Sequence, residues 1–177
     1  MLYKWKRLRV FSLMSRLETA APVLVLGWGN LSRGDDGLGP LCVAALQSWL
    51  SEDLPGRVEC LEDYQLQIEH ALDLVGRTQV LFIDASLTGV GPFDIQQVQA
   101  RRDTSYTSHA LSPQALLQVY CDVVGEAAPS CTLLAIRGEI FALGQTMSPT
   151  AHAHLAAALP WAQRWIQSAI CLDLAHA

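Results

Sequence analysis

The chain alternates short apolar runs with stretches of helical spacing, beginning with the run from Val23 to Leu26. This run is apolar at every position, which is typical of a strand buried on both faces of a parallel sheet. A glycine-rich turn follows, and apolar residues then recur along one helical face from Leu38 to Leu50. Because parallel strands need a crossover connection, usually a helix, this order restricts the fold to few topologies.

The same alternation continues along the rest of the chain. We predict further strands at 58–61, 80–83 and 132–136, a half-exposed edge strand at 93–98, and helices at 66–75, at 113–124 and from 149. Ser112-Pro113 and Ser148-Pro149 each fit an N-cap followed by proline at the first helical position. The sequence therefore predicts an α/β fold, a three-layer α/β/α sandwich with a mostly parallel five-stranded sheet.

The length of 177 residues favours one domain, which we place at 23–171. Residues 1–22 are basic and partly apolar but lack the apolar block of a signal peptide, so we interpret them as a flexible N-terminal arm or a misread start, with Met14 as the first residue. Residues 172–177 are interpreted as a C-terminal tail.

Composition excludes several classes of partner. The net charge of −5 gives no electrostatic reason to bind phosphate backbones, so nucleic acid is not expected. No apolar run is long enough to cross a bilayer, so no membrane is expected. The five cysteines are scattered and form no C-x-x-C pair, which favours reduced thiols in a cytoplasmic protein.

Polar side chains follow three of the predicted strands. Asp35 and Asp36 lie in the glycine-rich turn after the first strand, Asp84 follows the third, and His109 precedes the helix that begins at Pro113. Because sites in open α/β sheets form beyond the carboxyl ends of the strands, we expect two carboxylates and one imidazole to meet at one edge.

Each of these residues also has a structural explanation. Asp35 or Asp36 can cap the helix that begins near Gly37, but both cannot occupy one cap. Asp84 can bond a neighbouring turn, and His109 can be an ordinary surface residue. Two adjacent acids repel each other, which favours a cation beside the acid that is not used as a cap.

The order of strand, glycine turn and helix also resembles a dinucleotide-binding fingerprint. Gly27 and Gly29 match it, but Ser32 stands where the third glycine belongs, and two acids stand where a pyrophosphate should bind. The nucleophile elbow of serine hydrolases and the H-E-x-x-H zinc motif are absent. A nucleotide-binding α/β protein remains the weaker alternative.

The segments LGWGNL (26–31) and GDDGLG (34–39) resemble the signature of nickel-iron hydrogenase maturation proteases. The segments FIDAS (82–86) and SHALSP (108–113) are similar to the second and third signatures of that family, in the same order. The similarity extends from about Val23 to Trp165. The segment EDYQLQIEH (62–70) resembles the subgroup that serves soluble NAD-reducing or bidirectional hydrogenases.

The resemblance implies an endopeptidase that removes the C-terminal extension of the hydrogenase large-subunit precursor after nickel insertion. By residue match, Asp36, Asp84 and His109 would hold the nickel and serve catalysis, although many members have Glu in place of Asp36. The nickel would arrive in the substrate, so no resident cofactor is expected, and other divalent cations can substitute for it. Asp35 would be a possible base or a helix cap.

The resemblance also implies a docking surface for the precursor. We expect it to include Gly27, Gly29, Asn30, Tyr64, Gln65 and His70. An alternative with the same three metal ligands is a nickel-sensing chaperone that binds the loaded precursor without cutting it.

Overall fold

The computed structural model describes residues 20–50, 56–102 and 111–176. The strands in these ranges are β1 (Val23–Trp28), β2 (Val58–Asp63), β3 (Gln79–Ser86), β4 (Phe93–Val98) and β5 (Ser130–Arg137). The helices are α1 (Leu38–Leu50), α2 (Pro113–Val124) and α3 (Pro149–His176), with short 3₁₀ turns at Gly34–Gly37 and Ile68–Leu72. The predicted arm falls largely on residues 1–19, which lie outside the described ranges.

The five strands form one sheet in the order β2-β1-β3-β5-β4. The strand pairs β1 with β2, β1 with β3, and β3 with β5 are parallel, whereas β4 runs antiparallel to β5. The prediction of a mostly parallel five-stranded sheet is confirmed, and β4 lies at a sheet edge as its half-exposed pattern indicates.

Helices cover both faces of the sheet and make the three predicted layers. Val23 and Val25 of β1 pack on one face with α1 and α3, whereas Leu24 and Leu26 pack on the other with α2 and the 66–75 segment. All four side chains are 0% exposed, because a central strand buries both sets of alternating residues. Within the described ranges, no helix is long and apolar enough to span a membrane.

Both predicted serine caps are present. The Ser112 hydroxyl accepts a hydrogen bond from the Ala115 amide at 3.2 Å, and the Ser148 hydroxyl accepts one from the Ala151 amide at 3.0 Å. Each serine thereby satisfies an amide of the first helical turn that has no partner within the helix. The helices begin at Pro113 and Pro149 as the sequence predicts.

The structure differs from the sequence prediction in two segments. The segment 66–75 forms only the Ile68–Leu72 3₁₀ turn, in which backbone hydrogen bonds join residues three apart, such as the His70 amide to the Gln67 carbonyl at 3.1 Å. Leu66, Ala71, Leu74 and Val75 still enter the core, whereas Ile68 and Leu72 are exposed. At the C-terminus α3 continues to His176, so residues 172–176 belong to that helix and do not form a tail.

The first turn of α1 packs directly on the ends of two central strands. A Cβ on Gly39 would overlap the carbonyl oxygen of Trp28 and lie 2.8 Å from that of Ile83. A Cβ on Gly27 would lie 2.7 Å from the Gly39 carbonyl oxygen. Backbone therefore packs on backbone here, and the acid-bearing turn before α1 is held close to β3.

Gly39→Ala should lower the free energy of unfolding by about 3 kcal/mol, because a methyl group meets two rigid carbonyls in a packed interior. Urea unfolding at equilibrium measures this change. Gly91→Ala is the matched control, since the nearest atom to its new Cβ is the Phe93 carbonyl oxygen at 3.6 Å. Equal unfolding midpoints for the two variants would show that the close contact of α1 with β1 and β3 is absent.

Candidate functional site

The carboxyl ends of β1 and β3 flank the point where the sheet order reverses. The chain passes from β1 to β2 on one side and then to β3 on the other side of β1. In open α/β sheets such a switch point leaves a crevice between the loops that follow the two strands, and ligands bind there. The loop after β1 carries Asp35 and Asp36, and β3 carries Asp84.

The turn after β1 folds back onto the strand end. Gly29 has φ of 145°, and a Cβ there would overlap the carbonyl oxygen of Asp36. The Asn30 side-chain oxygen accepts a hydrogen bond from the Ser32 amide at 2.8 Å, which closes a local Asx turn. These contacts bring the Gly34–Gly37 turn back beside the end of β1.

Asp36 is partly exposed in this turn. Its Oδ2 accepts a hydrogen bond from the Asn30 amide at 2.9 Å, across the turn that the two residues enclose. Because the amide comes from rigid backbone, it fixes the orientation of the carboxylate. Asp36 is thus the member of the acid pair that faces the crevice.

Asp84 lies inside β3, opposite Ala135 of β5, and not after the strand as predicted. Burial, and to a smaller extent the nearby negative charge of Asp36, raise the pKa of Asp84 to about 7. Hydrogen bonds from the Ala85 amide, at 2.8 Å, and from the Trp28 side chain lower the pKa but do not cancel the effect of burial. The two carboxylates are therefore close enough to repel each other.

This pair of acids suits a proton near neutral pH or a divalent cation. A cation between the carboxylates would replace the proton of Asp84 and remove the repulsion from Asp36. In the ranges that the structure describes, no three His, Cys, Asp or Glu side chains are grouped to hold a metal ion. His109, the third predicted ligand, lies outside those ranges, so its meeting with the two acids stays a prediction.

Asp35 has a different environment from its neighbour. It is 0% exposed, and its carboxylate accepts hydrogen bonds from the amides of Glu139, Ile140 and Ser148 and from the Ser148 hydroxyl, at 2.7 to 2.9 Å. Burial raises the pKa of Asp35, but these bonds outweigh it and hold the pKa below its ordinary value. The interpretation of Asp35 as a base or as a cap of α1 is wrong, because its carboxylate is enclosed by the β5–α3 loop.

Three of the predicted docking residues are buried. Gly27 and Gly29 are both buried, and each allows a close approach of backbone or side chains that a Cβ would prevent. His70 is 8% exposed, and its ring accepts from the Gln67 amide at Nδ1 and contacts Asp63 through Nε2 at 3.2 Å. These three residues are directed into the protein, so the structure does not support a docking role for them.

Of the other predicted docking residues, Asn30 is also buried, whereas Tyr64 and Gln65 are exposed after the end of β2. The Asn30 side-chain amide donates to the Tyr64 hydroxyl at 2.6 Å, and Tyr64 is 61% exposed. Gln65 is exposed beside it. Asn30 thus connects Asp36, through its backbone amide, with an exposed aromatic side chain at the end of β2.

Sequence reasoning missed two features of this edge. Trp28 packs edge-to-face on Phe82, with ring centroids 5.9 Å apart, and its side chain reaches Asp84. Exposed apolar side chains also follow the ends of three parallel strands: Leu31 after β1, Leu87 and Val90 after β3, and Ile140 and Leu143 after β5. Leucine, isoleucine and valine residues in segments predicted as loops were the sequence signal that could have revealed this apolar surface.

The pKa of Asp84 predicts a pH-dependent stability in buffers that contain a chelator. A folded pKa of about 7 lies above the ordinary aspartate value, so the folded protein binds an extra proton between about pH 4 and 7, and stability falls as pH rises through that range. Asp84→Asn removes this penalty. We expect urea unfolding to show the variant more stable than the wild type by about 1–3 kcal/mol at pH 8, with the difference shrinking towards pH 4.

Asp94→Asn, in the exposed part of β4, is the control for removing one negative charge. If the free energies of unfolding of Asp84→Asn and of the wild type differ by the same amount from pH 4 to pH 8, the raised pKa of Asp84 is contradicted.

The fold defines a class of protein. It is an α/β/α sandwich with acids at the switch point of its sheet, and solved structures of hydrogenase maturation peptidases have the same fold. No protein-family model and no curated protein sequence matches the chain.

Three solved structures illustrate the similarity. The hydrogenase maturating endopeptidase HybD from E. coli is 24% identical, with a TM-score of 0.65 over 82% of this chain and 92% of that one. The hydrogenase 2 maturation peptidase from Thaumarchaeota archaeon SCGC_AB-539-E09 is 24% identical, with a TM-score of 0.59 over 81% and 97%. The [NiFe] hydrogenase maturation protease HycI from Thermococcus kodakarensis KOD1 is 18% identical, with a TM-score of 0.61 over 89% and 97%.

Proposed function

We propose that this chain is a cytoplasmic endopeptidase that removes the C-terminal extension of a nickel-iron hydrogenase large-subunit precursor after nickel insertion. The observation that carries the proposal is the position of Asp84 in β3 and of Asp36 in the turn after the neighbouring strand β1, on the two sides of the switch point. Solved proteins with the same fold are named as maturation peptidases of hydrogenases. The resemblance of residues 62–70 supports a soluble, NAD-reducing or bidirectional hydrogenase as the source of the precursor.

In this proposal the metal belongs to the substrate. Asp36 and Asp84 supply carboxylate oxygens and His109 supplies an imidazole nitrogen, a donor set that suits a divalent first-row cation with open positions, nickel included. Asp36 is shorter by one methylene than the glutamate of many relatives. The close contact of α1 with β1 and β3 supports the site, because it places the acid turn next to β3.

In this proposal the positive charge of the cation accounts both for recognition of the precursor and for hydrolysis of its peptide bond. Arrival of the cation favours ionised Asp84, since a positive charge opposes the burial and repulsion that raise its pKa to about 7. The precursor's cation can polarise the scissile carbonyl or acidify a water molecule. Asp35 takes no part in the proton transfer, because its carboxylate is buried and already accepts four hydrogen bonds.

The rim of the crevice offers a surface for the body of the precursor. Leu31, Tyr64 and Leu143 are 61%, 61% and 74% exposed, and each follows the carboxyl end of a parallel strand. Apolar and aromatic side chains beside a polar site are typical of protein interfaces, where they provide most of the binding energy. We infer that they contact the folded large subunit while its tail enters the crevice.

Purified protein incubated with nickel-loaded precursor tests the activity directly. We expect the wild type to lower the mass of the large subunit by the mass of its extension, and Asp84→Asn or His109→Ala to lower the rate at least about a hundredfold, because each removes a proposed ligand. Mass spectrometry of the large subunit measures both.

The matched controls are Asp94→Asn and His152→Ala, which remove an exposed acid and an exposed imidazole elsewhere. Both should process at the wild-type rate. Binding of the precursor by the wild type without any change in mass would favour a nickel-sensing chaperone, and normal processing by the two ligand variants would refute the proposed site.

The apolar rim predicts a change in KM. Leu143→Ser should raise KM for the precursor by about five- to thirtyfold with kcat unchanged, because the lost contact is made equally in the ground and transition states. Leu174→Ser is the control: Leu174 is 54% exposed near the far end of α3, next to the Asp173 that pairs with Arg57 before β2. Equal KM values for the two variants would exclude the rim from docking.

A further inference from the structure

The loop between β5 and α3, residues 138–148, is joined to the acid-bearing turn along its length. The Gly34 amide donates to the Gln145 carbonyl at 3.1 Å, and the Gly144 amide donates to the Ser32 carbonyl at 2.7 Å. The Asp35 amide donates to the Ile140 carbonyl at 2.8 Å. Two segments more than 100 positions apart in sequence therefore share a backbone hydrogen-bond network.

The Asp35 carboxylate is at the centre of this network. Oδ2 accepts from the amides of Glu139 and Ile140 and from the Ser148 hydroxyl, and Oδ1 accepts from the Ser148 amide. A Cβ on Gly138 would lie 2.7 Å from the Asp35 Cβ, so the loop also packs closely on the side chain. A buried charge is tolerated here because four donors replace its hydration.

We propose that Asp35 is a positioning residue, which ties the acid turn to the 138–148 loop and thereby sets the position of the Asp36 carboxylate relative to Asp84. Its importance for hydrolysis rests on the proposed function, whereas the positioning itself does not.

The shape of the turn couples the orientations of the two acids. Asp35 and Asp36 are consecutive in a single 3₁₀ turn of four residues, Gly34–Gly37. With Asp35 anchored on the interior side, the backbone of the turn cannot rotate without breaking its hydrogen bonds, so the next side chain is directed to the crevice. Aspartate is required, because the asparagine amide group would oppose one of the backbone or hydroxyl donors.

The network also reaches α3. The Ser148 hydroxyl donates to Asp35 and accepts from the Ala151 amide, so one hydroxyl connects the acid turn with the first turn of the helix. The long helix α3 packs on the core through buried residues such as Ala158 and Ile166. The acid turn is thus fixed to a large rigid element as well as to β1.

The Asn30 amide reports the position of Asp36, because it donates to Oδ2 of that residue at 2.9 Å. Asp35 makes its own bonds elsewhere, to residues 139–148. A purely structural role of Asp35 in holding the loop would leave the exchange of the Asn30 amide unchanged.

Native-state hydrogen exchange of the full chain, followed by NMR, tests the proposal. In Asp35→Asn we expect the amides of Glu139, Ile140 and Ser148 to exchange at least about tenfold faster than in the wild type. The exchange rate of the Asn30 amide should rise by a similar factor. Unchanged protection of Asn30 would overturn the proposal, whether or not the loop amides lose protection.

Ser148→Ala is a milder second variant, in case Asp35→Asn does not fold. It removes only one of the four donors, so Asn30 should lose protection by about threefold. Ser168→Ala is its control, since it removes a hydroxyl from the same helix that bonds only the Arg164 carbonyl among the described residues. Equal Asn30 exchange in the two serine variants would also overturn the proposal.

A kinetic comparison separates this proposal from the proposed function. If the wild type processes the precursor, Asp35→Asn should lower kcat at least about tenfold, because Asp36 no longer keeps its position relative to Asp84. If kcat is unchanged, Asp35 does not position Asp36 for hydrolysis. If the wild type does not process any precursor, the function fails while the exchange experiment still decides the positioning.

Discussion

The contact of the first turn of α1 with the ends of β1 and β3 is the constraint on which the site depends. Gly39 places backbone against the Trp28 and Ile83 carbonyls, at a distance that no side chain allows. Gly27 permits the same approach from the strand side. Because the acid turn leads directly into α1, this contact holds the turn close to β3. The glycines of the turn are therefore structural, and the acids depend on them.

Environment gives three aspartates different chemistry. Asp35 is enclosed by four donors that hold its pKa low, so it stays ionised and acts as an anchor. Asp84 is desolvated and close to the charge of Asp36, so its pKa rises to about 7 and its carboxyl group titrates near neutral pH. Asp36 is partly exposed and held by a single backbone amide. Aspartate thus has three roles at this edge of the sheet: Asp35 is an anchor, Asp84 is an acid that titrates, and Asp36 is an acid that faces outward.

The crevice and its rim differ in polarity, and this difference suits a substrate with two parts. Carboxylates at the switch point favour a cation, whereas exposed leucines and Tyr64 around them favour an apolar protein surface. A precursor that carries a metal ion in a folded body and a tail beside it would present both features. The 138–148 loop links them physically, because it bears Leu143 at the rim and donates its amides to Asp35.

The sequence by itself determined the alternation of elements, since buried strands such as Val23–Trp28 and the serine caps before Pro113 and Pro149 are local patterns of polarity and hydrogen bonding. It also placed Asp36 and Asp84 at one edge, because parallel strands end on the same side. Only the tertiary structure separated the roles of Asp35 and Asp36 and excluded His70 from the surface. The first outcome depends on donors from residues 139–148, which lie more than 100 positions away and leave no periodic signal in the chain. The second depends on the contact of His70 with Asp63, which only the folded turn brings together.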